Sequence, residues 1–180
     1  MNLNPYSDNI IFFDTEFTNI DINVGELLSI GLKKLTGEEL YIELDYEGQQ
    51  IHPWVKKKVL PYLSGNKINK AEAVSAIESF IGKKTKKKPY LMAYVNQFDA
   101  IYWYKLFGDA KEHPAFWIPI DFASILFAHG FDPESLRKDT FFDLLGIDRS
   151  KYRQHNALDD AKLLAEVYDK FMKYINLEGK

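Results

Sequence analysis

The first part of the chain carries the hydrophobic pattern of strands. Asn9–Phe17 contains four consecutive apolar residues, a run that is typical of a strand buried on both faces. Glu26–Leu35 is a second apolar strand. Thr36-Gly37 predicts a turn, and Glu39–Asp45 continues beyond it as a third strand with alternating apolar residues. Because these connections are short, we expect the three strands to form an antiparallel meander.

The rest of the chain predicts mainly helices around one further strand. Apolar residues recur at helical spacing in Lys70–Ile81, and Gln97–Phe107 ends before a glycine, which favours a helix C-terminus. A fourth strand, Tyr90–Val95, lies between these two helices. The last helix begins after Asn156 and continues to about Ile175. The other predicted helices are Trp54–Leu60, Phe122–His129 with Asp121 as its cap, one that begins at Asp132-Pro133, and Phe141–Leu145.

This order of elements predicts an α/β fold, in which helices pack on the faces of a mixed sheet. The chain has 180 residues, so we expect one domain spanning residues 1–180, which can bury about 70% of its unfolded surface. No apolar run approaches the roughly 18 residues that cross a membrane. Met1–Ile11 lacks the basic and apolar stretches of a secretory signal, so we expect a cytoplasmic protein.

Composition narrows the chemistry without identifying a function. The 26 acidic and 23 basic residues give a net charge of −3, whereas a free-standing polyanion-binding domain is usually strongly basic. The absence of cysteine excludes disulfides, thiolate zinc sites and a cysteine nucleophile. The lysine-rich segments Lys56–Lys58 and Lys83–Lys88 favour solvated loops, with contacts to phosphates as the alternative.

Asp14 and Glu16 stand at the end of the first predicted strand. Residues two apart on a strand point to the same side, so both carboxylates should project from one face. Two like charges at this range repel each other, which raises both pKa values unless a cation lies between them. The alternative is that the strand ends earlier and the two acids belong to a solvated turn.

Asp99, His155 and Asp160 are further candidates for chemistry. Asp99 lies in the first turn of a helix, where an acid is favourable by itself because N–H groups are free there. Asp160 borders the apolar stripe of the last helix, and a carboxylate at a buried edge needs a partner or a metal ion. Asp159 points away from that stripe. His155 precedes the same helix, and a structural role is the alternative for it.

The four carboxylates and the histidine of these clusters together indicate a metal site. Carboxylate oxygens are the ligands that Mg²⁺ and Mn²⁺ prefer, and a tetrahedral zinc site is less favoured with one histidine and no cysteine. Two such cations form an arrangement that cleaves phosphodiesters, and a nearby histidine is a base for the attacking water. The predicted ligands are Asp14, Glu16, Asp99 and Asp160, with His155 as the base.

Three of these segments resemble the DEDDh 3′–5′ exonuclease family, whose fold is ribonuclease H-like. Asp14–Glu16, Asp99 and His155–Asp160 match the family's Asp-x-Glu, its later Asp and its His-x-Ala-x-x-Asp in order and separation. The resemblance implies an antiparallel meander plus parallel strands, with helices on both faces of the sheet. The family's last ligand falls on Asp160, in agreement with the helix-face argument. Asn156 stands where the tyrosine variant of the family has its tyrosine, which excludes that variant.

A closer resemblance is to one group within that family, the bacterial polyadenylate-specific 3′-exoribonucleases AS. It rests on Phe12–Phe17, on Leu27–Gly31, on Ala93–Asp99, and on Trp54-Val55 followed by Val59–Pro61. This resemblance implies an exoribonuclease that degrades single-stranded RNA from the 3′ end, adenine-rich tails included. Its products would be nucleoside 5′-monophosphates, and the enzyme would be a homodimer.

The family resemblance also implies a role for each site residue. Asp14 would bridge two Mg²⁺ ions, for which Mn²⁺ is a substitute. Glu16 and Asp160 would complete one metal site, and Asp99 would serve the second. His155 would deprotonate the attacking water. The residues assigned to substrate binding are Thr15, Phe17 and Trp54, where a base would stack on the aromatic rings; packing in the core or anchoring a short helix is the alternative for the two aromatic residues.

Other functions remain open at this point. A 3′–5′ DNA exonuclease of the proofreading type would have the same active site, and a contact to the ribose 2′-OH would distinguish the two. A catalytically silent RNA-binding module is a different class, but it would have no need of all five site residues. A structural interaction domain would show no dependence on divalent ions.

Overall fold

The computed structural model describes residues 9–82, 87–108 and 112–178. A six-stranded sheet lies at its centre, and its first strand occupies an interior position. The strands are β1 (Ile10–Phe17), β2 (Leu27–Lys34), β3 (Glu39–Leu44), β4 (Lys67–Ile68), β5 (Tyr90–Ala93) and β6 (Ile120–Asp121).

The sheet is mixed, which confirms the predicted fold class. Its strand order is β4-β3-β2-β1-β5-β6. Strands β1, β2 and β3 form the antiparallel meander, while β5 pairs parallel to β1, β6 parallel to β5, and β4 parallel to β3. The sequence did not predict β4 and β6, because two residues are too few to show a hydrophobic period.

Helices cover both faces of the sheet, as predicted. On one face Ile11 and Phe13 of β1 pack with residues of two helices, among them Ile77 and Trp103. On the other face Phe12 packs against Tyr168 of the last helix, with ring centroids 5.3 Å apart. The helices are α1 (Pro53–Lys58), α2 (Lys70–Ile81), α3 (Gln97–Phe107), α4 (Phe122–Ala128), α5 (Asp139–Leu145) and α6 (Ala157–Glu178).

The prediction that a helix begins at Asp132-Pro133 is wrong. The chain forms only a short 3₁₀ turn, Ser135–Arg137, before α5. The Asp132 carboxylate accepts the Glu134 N–H at 2.9 Å, and the Ser135 hydroxyl donates to the Asp132 carbonyl at 2.6 Å. These local side-chain bonds replace the helical ones. Lys138 is extended, with φ −111° and ψ 124°, so the turn ends there.

Parts of two predictions fall outside the described residues. Positions 83–86 of the lysine-rich segment Lys83–Lys88 lie there, as do residues 1–8 of the segment examined for a secretory signal. Within the described ranges, no helix is both long and apolar enough to cross a membrane.

Candidate active site

The carboxylates of Asp14 and Glu16 project from the end of β1. Asp14 pairs with Gly31 of β2, Glu16 pairs with Ser29, and the register shifts directly after Glu16. Alternation along the strand places both carboxylates on the face that Phe12 shares with α6. The strand therefore continues through both acids, and the solvated turn considered for them does not occur.

Gly31 brings the start of α6 against this part of the sheet. A Cβ atom at Gly31 would lie 2.3 Å from the backbone carbonyl of Ala157, closer than real contacts allow. The Asp160 carboxylate accepts the His155 backbone N–H at 2.9 Å, which closes the turn that enters the helix. His155 has a φ of 61°, in the left-handed region that few residues other than glycine adopt.

Three of the predicted site residues come together directly. One carboxylate oxygen of Glu16, one of Asp160 and a ring nitrogen of His155 all lie within 4.8 Å of one another. That group does not include Asp14 or Asp99, which line the same cleft as the other three. The cleft thus has all five predicted residues in its wall.

Asp99 is held against β1 by Thr15. One oxygen of the buried Asp99 carboxylate accepts the Thr15 backbone N–H at 2.9 Å and the Thr15 hydroxyl at 2.7 Å. Because Thr15 lies between Asp14 and Glu16, these bonds direct the carboxylate of Asp99 towards the acidic end of β1. Asn96, the residue before α3, makes no side-chain capping bond. The Thr15 hydroxyl donates its hydrogen to Asp99. A role of Thr15 in substrate binding stays a prediction.

Burial and mutual repulsion favour the protonated forms of these carboxyl groups. Burial, followed by Asp160 and Asp99, raises the pKa of Glu16 to about 8. Burial is also the main reason that the pKa of Asp160 rises to about 7 and that of Asp99 to about 6. The pKa of Asp14 lies well above its usual range, because Asp14 is desolvated and faces the other three acids.

This donor set fits hard divalent cations. Cations between the acids would remove the repulsion that raises their pKa values. Carboxylate oxygens with one imidazole suit Mg²⁺ or Mn²⁺, and thiolate ligands are absent from the sequence.

Aromatic and apolar side chains form much of the remaining wall of the cleft, which has a volume of about 500 Å³ and is also lined by Thr15, His52 and Arg137. The Phe17 ring lies in its wall and stacks on Tyr102 with centroids 4.5 Å apart. Phe98 lies 5.7 Å from Phe17 on the same wall. Trp54 is 45% exposed and packs edge-to-face on the His155 ring at 4.7 Å. Phe17 and Trp54 thus combine internal packing with exposure to the cleft.

The structure adds residues that the sequence did not indicate. Val95, two residues after the end of β5, has a φ of 57°, which is an unusual conformation for a β-branched residue. Its N–H donates to the Asp121 carboxylate at 2.9 Å. Asp121 also accepts the N–H groups of Ala123 and Ser124, so its predicted role as the cap of α4 is confirmed. The second role of Asp121 has no signature in the sequence, because it depends on strand pairing.

The fold resembles that of E. coli exonuclease I. The structure of that enzyme with a dT13 oligonucleotide aligns with a TM-score of 0.64 at 16% identity, over 91% of this chain and 40% of that one. The apo enzyme aligns with a TM-score of 0.63 at 16% identity, over 92% and 42%. The zinc-bound complex with single-stranded DNA aligns with a TM-score of 0.60 at 18% identity, over 88% and 38%.

These alignments establish the fold. This chain spans about two fifths of the length of the exonuclease I chains that it matches. Searches of protein-family models and of curated proteins give no match. The likeness agrees with the ribonuclease H-like fold that the sequence motifs imply.

Proposed function

We propose that this chain is a divalent-metal-dependent 3′–5′ exoribonuclease that hydrolyses single-stranded RNA to nucleoside 5′-monophosphates. The observation that carries the proposal is the convergence of five side chains from three parts of the fold on one open cleft. Those side chains are Asp14, Glu16, Asp99, His155 and Asp160.

The carboxylates would hold two cations, Mg²⁺ or Mn²⁺. Asp14 would contact both, Glu16 and Asp160 would complete one site, and Asp99 would serve the other. When bound, the cations would offset the carboxylate charges, lower the pKa of water and stabilise the charge that develops on the phosphate. The Thr15 bonds to Asp99 and the His155 N–H bond to Asp160 orient two of the ligands before substrate arrives.

His155 would act as the general base. Burial, with a contribution from the charge of Lys58, lowers the pKa of its imidazole, so the ring is neutral at pH 7. A ring nitrogen would accept the proton of the attacking water. The water oxygen bonds to phosphorus and the P–O3′ bond breaks, so the phosphate stays on the 5′ oxygen of the released nucleotide.

The cleft walls suit a single strand. Phe17 and Trp54 present aromatic surface beside the acids, and base stacking on aromatic side chains is a common means of holding single-stranded nucleic acid. The choice of RNA, with adenine-rich tails among the substrates, rests on the resemblance to the exoribonucleases AS. We also propose that the protein is a cytoplasmic homodimer. Measurement of its molecular mass in solution tests the dimer.

Single-stranded DNA is the second candidate substrate. The exonuclease I structures that share this fold include complexes with dT13 and dA16 oligonucleotides. The same five side chains would cleave either backbone, because the reacting phosphodiester is common to both. A contact to the ribose 2′-OH would favour RNA.

Product analysis on matched strands tests the proposal. The protein is incubated with Mg²⁺ and 5′-labelled oligomers of RNA and DNA, including oligo(A) and oligo(U), and the products are identified by mass. We expect RNA ladders that shorten from the 3′ end and release nucleoside 5′-monophosphates. Degradation of DNA alone would support the second candidate, and binding without cleavage would support the silent module. Products with 3′ phosphates would contradict the reaction itself.

A further inference from the structure

A second cavity adjoins the cleft, and two arginines line it. The cavity has a volume of about 340 Å³ and shares Asp14, His155 and Asp160 with the cleft. Arg137 borders both cavities, and Arg149 borders the second. Neither arginine belongs to a motif that the sequence indicated. Positive charge therefore lies directly beside the acidic end of β1.

Arg149 is half-buried and contacts two residues of α5. Its Nη1 atom lies 3.0 Å from Asp139 Oδ1, and its guanidinium lies over the Phe142 ring, 4.9 Å from the ring centroid. The contact to Asp139 uses one terminal nitrogen, whereas an arginine offers five N–H donors in a rigid fork. Arg149 is thus anchored through one end of its guanidinium at the cavity wall.

Arg137 lines both cavities from the loop that precedes α5. The Tyr94 hydroxyl donates to the Pro133 carbonyl at 2.6 Å and ties this loop to the end of β5. Arg137 pairs with Glu134 at 3.1 Å, but the two side chains are 69% and 63% exposed. Such a surface ion pair contributes little to stability. Stability therefore does not account for a cation at this position.

We propose that Arg137 and Arg149 bind a phosphate group of the nucleic-acid strand in the second cavity. This inference rests on the proposed function. A guanidinium fork matches two phosphate oxygens, with charge-assisted hydrogen bonds that are stronger than neutral ones. Apolar side chains beside the arginines suit the sugar of the same nucleotide, and they are Leu136, Leu163 and Leu164.

Strand binding to chemically neutralised linkages tests this contact. Methylphosphonate, which lacks the phosphate charge, replaces in turn each of the three linkages nearest the 3′ end of fluorescent RNA and DNA strands. Anisotropy in Mg²⁺ then gives the affinity of the His155→Ala protein, which should bind the strand and degrade it at least about a hundredfold more slowly than the wild type. Arg137→Gln and Arg149→Gln are added to that background. Arg153→Gln is the matched control, because Arg153 lies over Tyr62 and is not among the residues lining either cavity.

We expect one linkage at which methylphosphonate weakens binding about tenfold or more, the loss expected for hydrogen bonds to a charged group. Arg137→Gln or Arg149→Gln should weaken binding to the normal strand by a similar factor and remove the effect of methylphosphonate at that linkage. Arg153→Gln should leave it intact. Arg149→Lys, which keeps the charge, should restore part of the affinity if Arg149→Gln disturbs folding.

The proposal is overturned if, at every linkage, the loss of affinity from arginine replacement simply adds to the loss from methylphosphonate. It is also overturned if the strand does not bind. An equal loss in Arg153→Gln would also contradict it, because a general charge effect would then explain the data. A wild-type protein that binds strands and cleaves neither type contradicts the proposed function alone. The arginine contact is still tested in that case, since the measurement uses binding.

Discussion

Two carboxylates in one row of the sheet have opposite environments. Ser29 of β2 pairs with Glu16 on one side and with Glu43 of β3 on the other. Glu43 is 2% exposed and accepts hydrogen bonds from the Ser64 N–H at 2.6 Å, the Gly65 N–H at 2.8 Å and the Tyr41 hydroxyl at 2.9 Å. Glu16 faces Asp14, Asp99 and Asp160 instead, all of them acids.

The pKa values of the two carboxyls shift in opposite directions for this reason. Burial opposes ionisation of Glu43, but the N–H groups of Ser64 and Gly65 and the Tyr41 hydroxyl hold its pKa below the usual range. Burial and like charges raise the pKa of Glu16. A satisfied carboxylate such as Glu43 stabilises a loop. A carboxylate such as Glu16 is costly to the fold, which indicates that it is retained for what it binds.

The sharpest contrast is expected between Asp14→Asn and Glu43→Gln. Asp14→Asn should reduce exonuclease activity by about a thousandfold or more, because bound cations contribute several kcal/mol of transition-state stabilisation. Glu43→Gln should leave activity per folded molecule near normal and lower the free energy of unfolding by about 1–3 kcal/mol, since an amide cannot accept all three bonds. Initial rates and urea unfolding measure the two quantities. Near-normal trimming by Asp14→Asn would contradict the metal-site interpretation.

His155→Ala is expected to lower the reaction rate without removing the metal ligands. Loss of a general base reduces the rate by about a hundredfold or more. Binding of Mn²⁺ should be largely kept, because the carboxylates remain. Calorimetric Mn²⁺ titration beside single-turnover rates distinguishes the two effects. If metal binding is lost together with the rate, His155 is a ligand or a structural residue instead of the base.

Thr15→Val tests whether a positioning bond matters as much as the acids do. Valine keeps the shape of threonine but removes the hydroxyl that Asp99 accepts at 2.7 Å, while the backbone N–H bond stays. We expect kcat to fall about tenfold, near the lower limit for disturbed ligand orientation. Raising the Mg²⁺ concentration should recover part of the loss, which a damaged substrate contact would not permit. Unchanged kcat would show that the backbone bond alone positions Asp99.

The smallest effect concerns stability and pH. Without metal ions, the raised carboxyl pKa values stabilise the fold fully below about pH 4, and this stability is lost as the pH rises through about 8, the pKa of Glu16. Glu16→Gln removes one titrating group, so it should raise the Tm at pH 8 by at least about 2 °C. At pH 5 the gain should nearly vanish. A gain that is equal at both pH values, or that persists in saturating Mg²⁺, would contradict the electrostatic account.

Local periodicity explains which parts of the site could be predicted. Alternation along β1 predicts that Asp14 and Glu16 share a face, and the apolar stripe of α6 distinguishes Asp160 from Asp159. Each of these features depends only on the residues of one strand or one helix. The bond from Val95 to Asp121 joins β5 to the start of α4, so it requires the tertiary structure.

The arginines and the short strands escape prediction for related reasons. Arg137 follows a segment that looks like a helix start, and only the local bonds of Asp132 and Ser135 show that it is a turn. Arg149 reaches the cavity through an anchor on α5. Strands β4 and β6 have two residues each, so they exist only through pairing with longer neighbours.

Counting bound ions tests the central claim most directly. Mn²⁺ is titrated at pH 8 into the wild-type protein, Asp14→Asn and Glu43→Gln in the presence of a nucleoside 5′-monophosphate, the proposed product, which these proteins do not degrade. Free Mn²⁺ is measured by electron paramagnetic resonance against the same titration without protein. The account predicts two bound ions in the wild type and in Glu43→Gln, and loss of at least one in Asp14→Asn. A wild-type protein that binds no Mn²⁺, or an Asp14→Asn protein that binds as the wild type does, would contradict it.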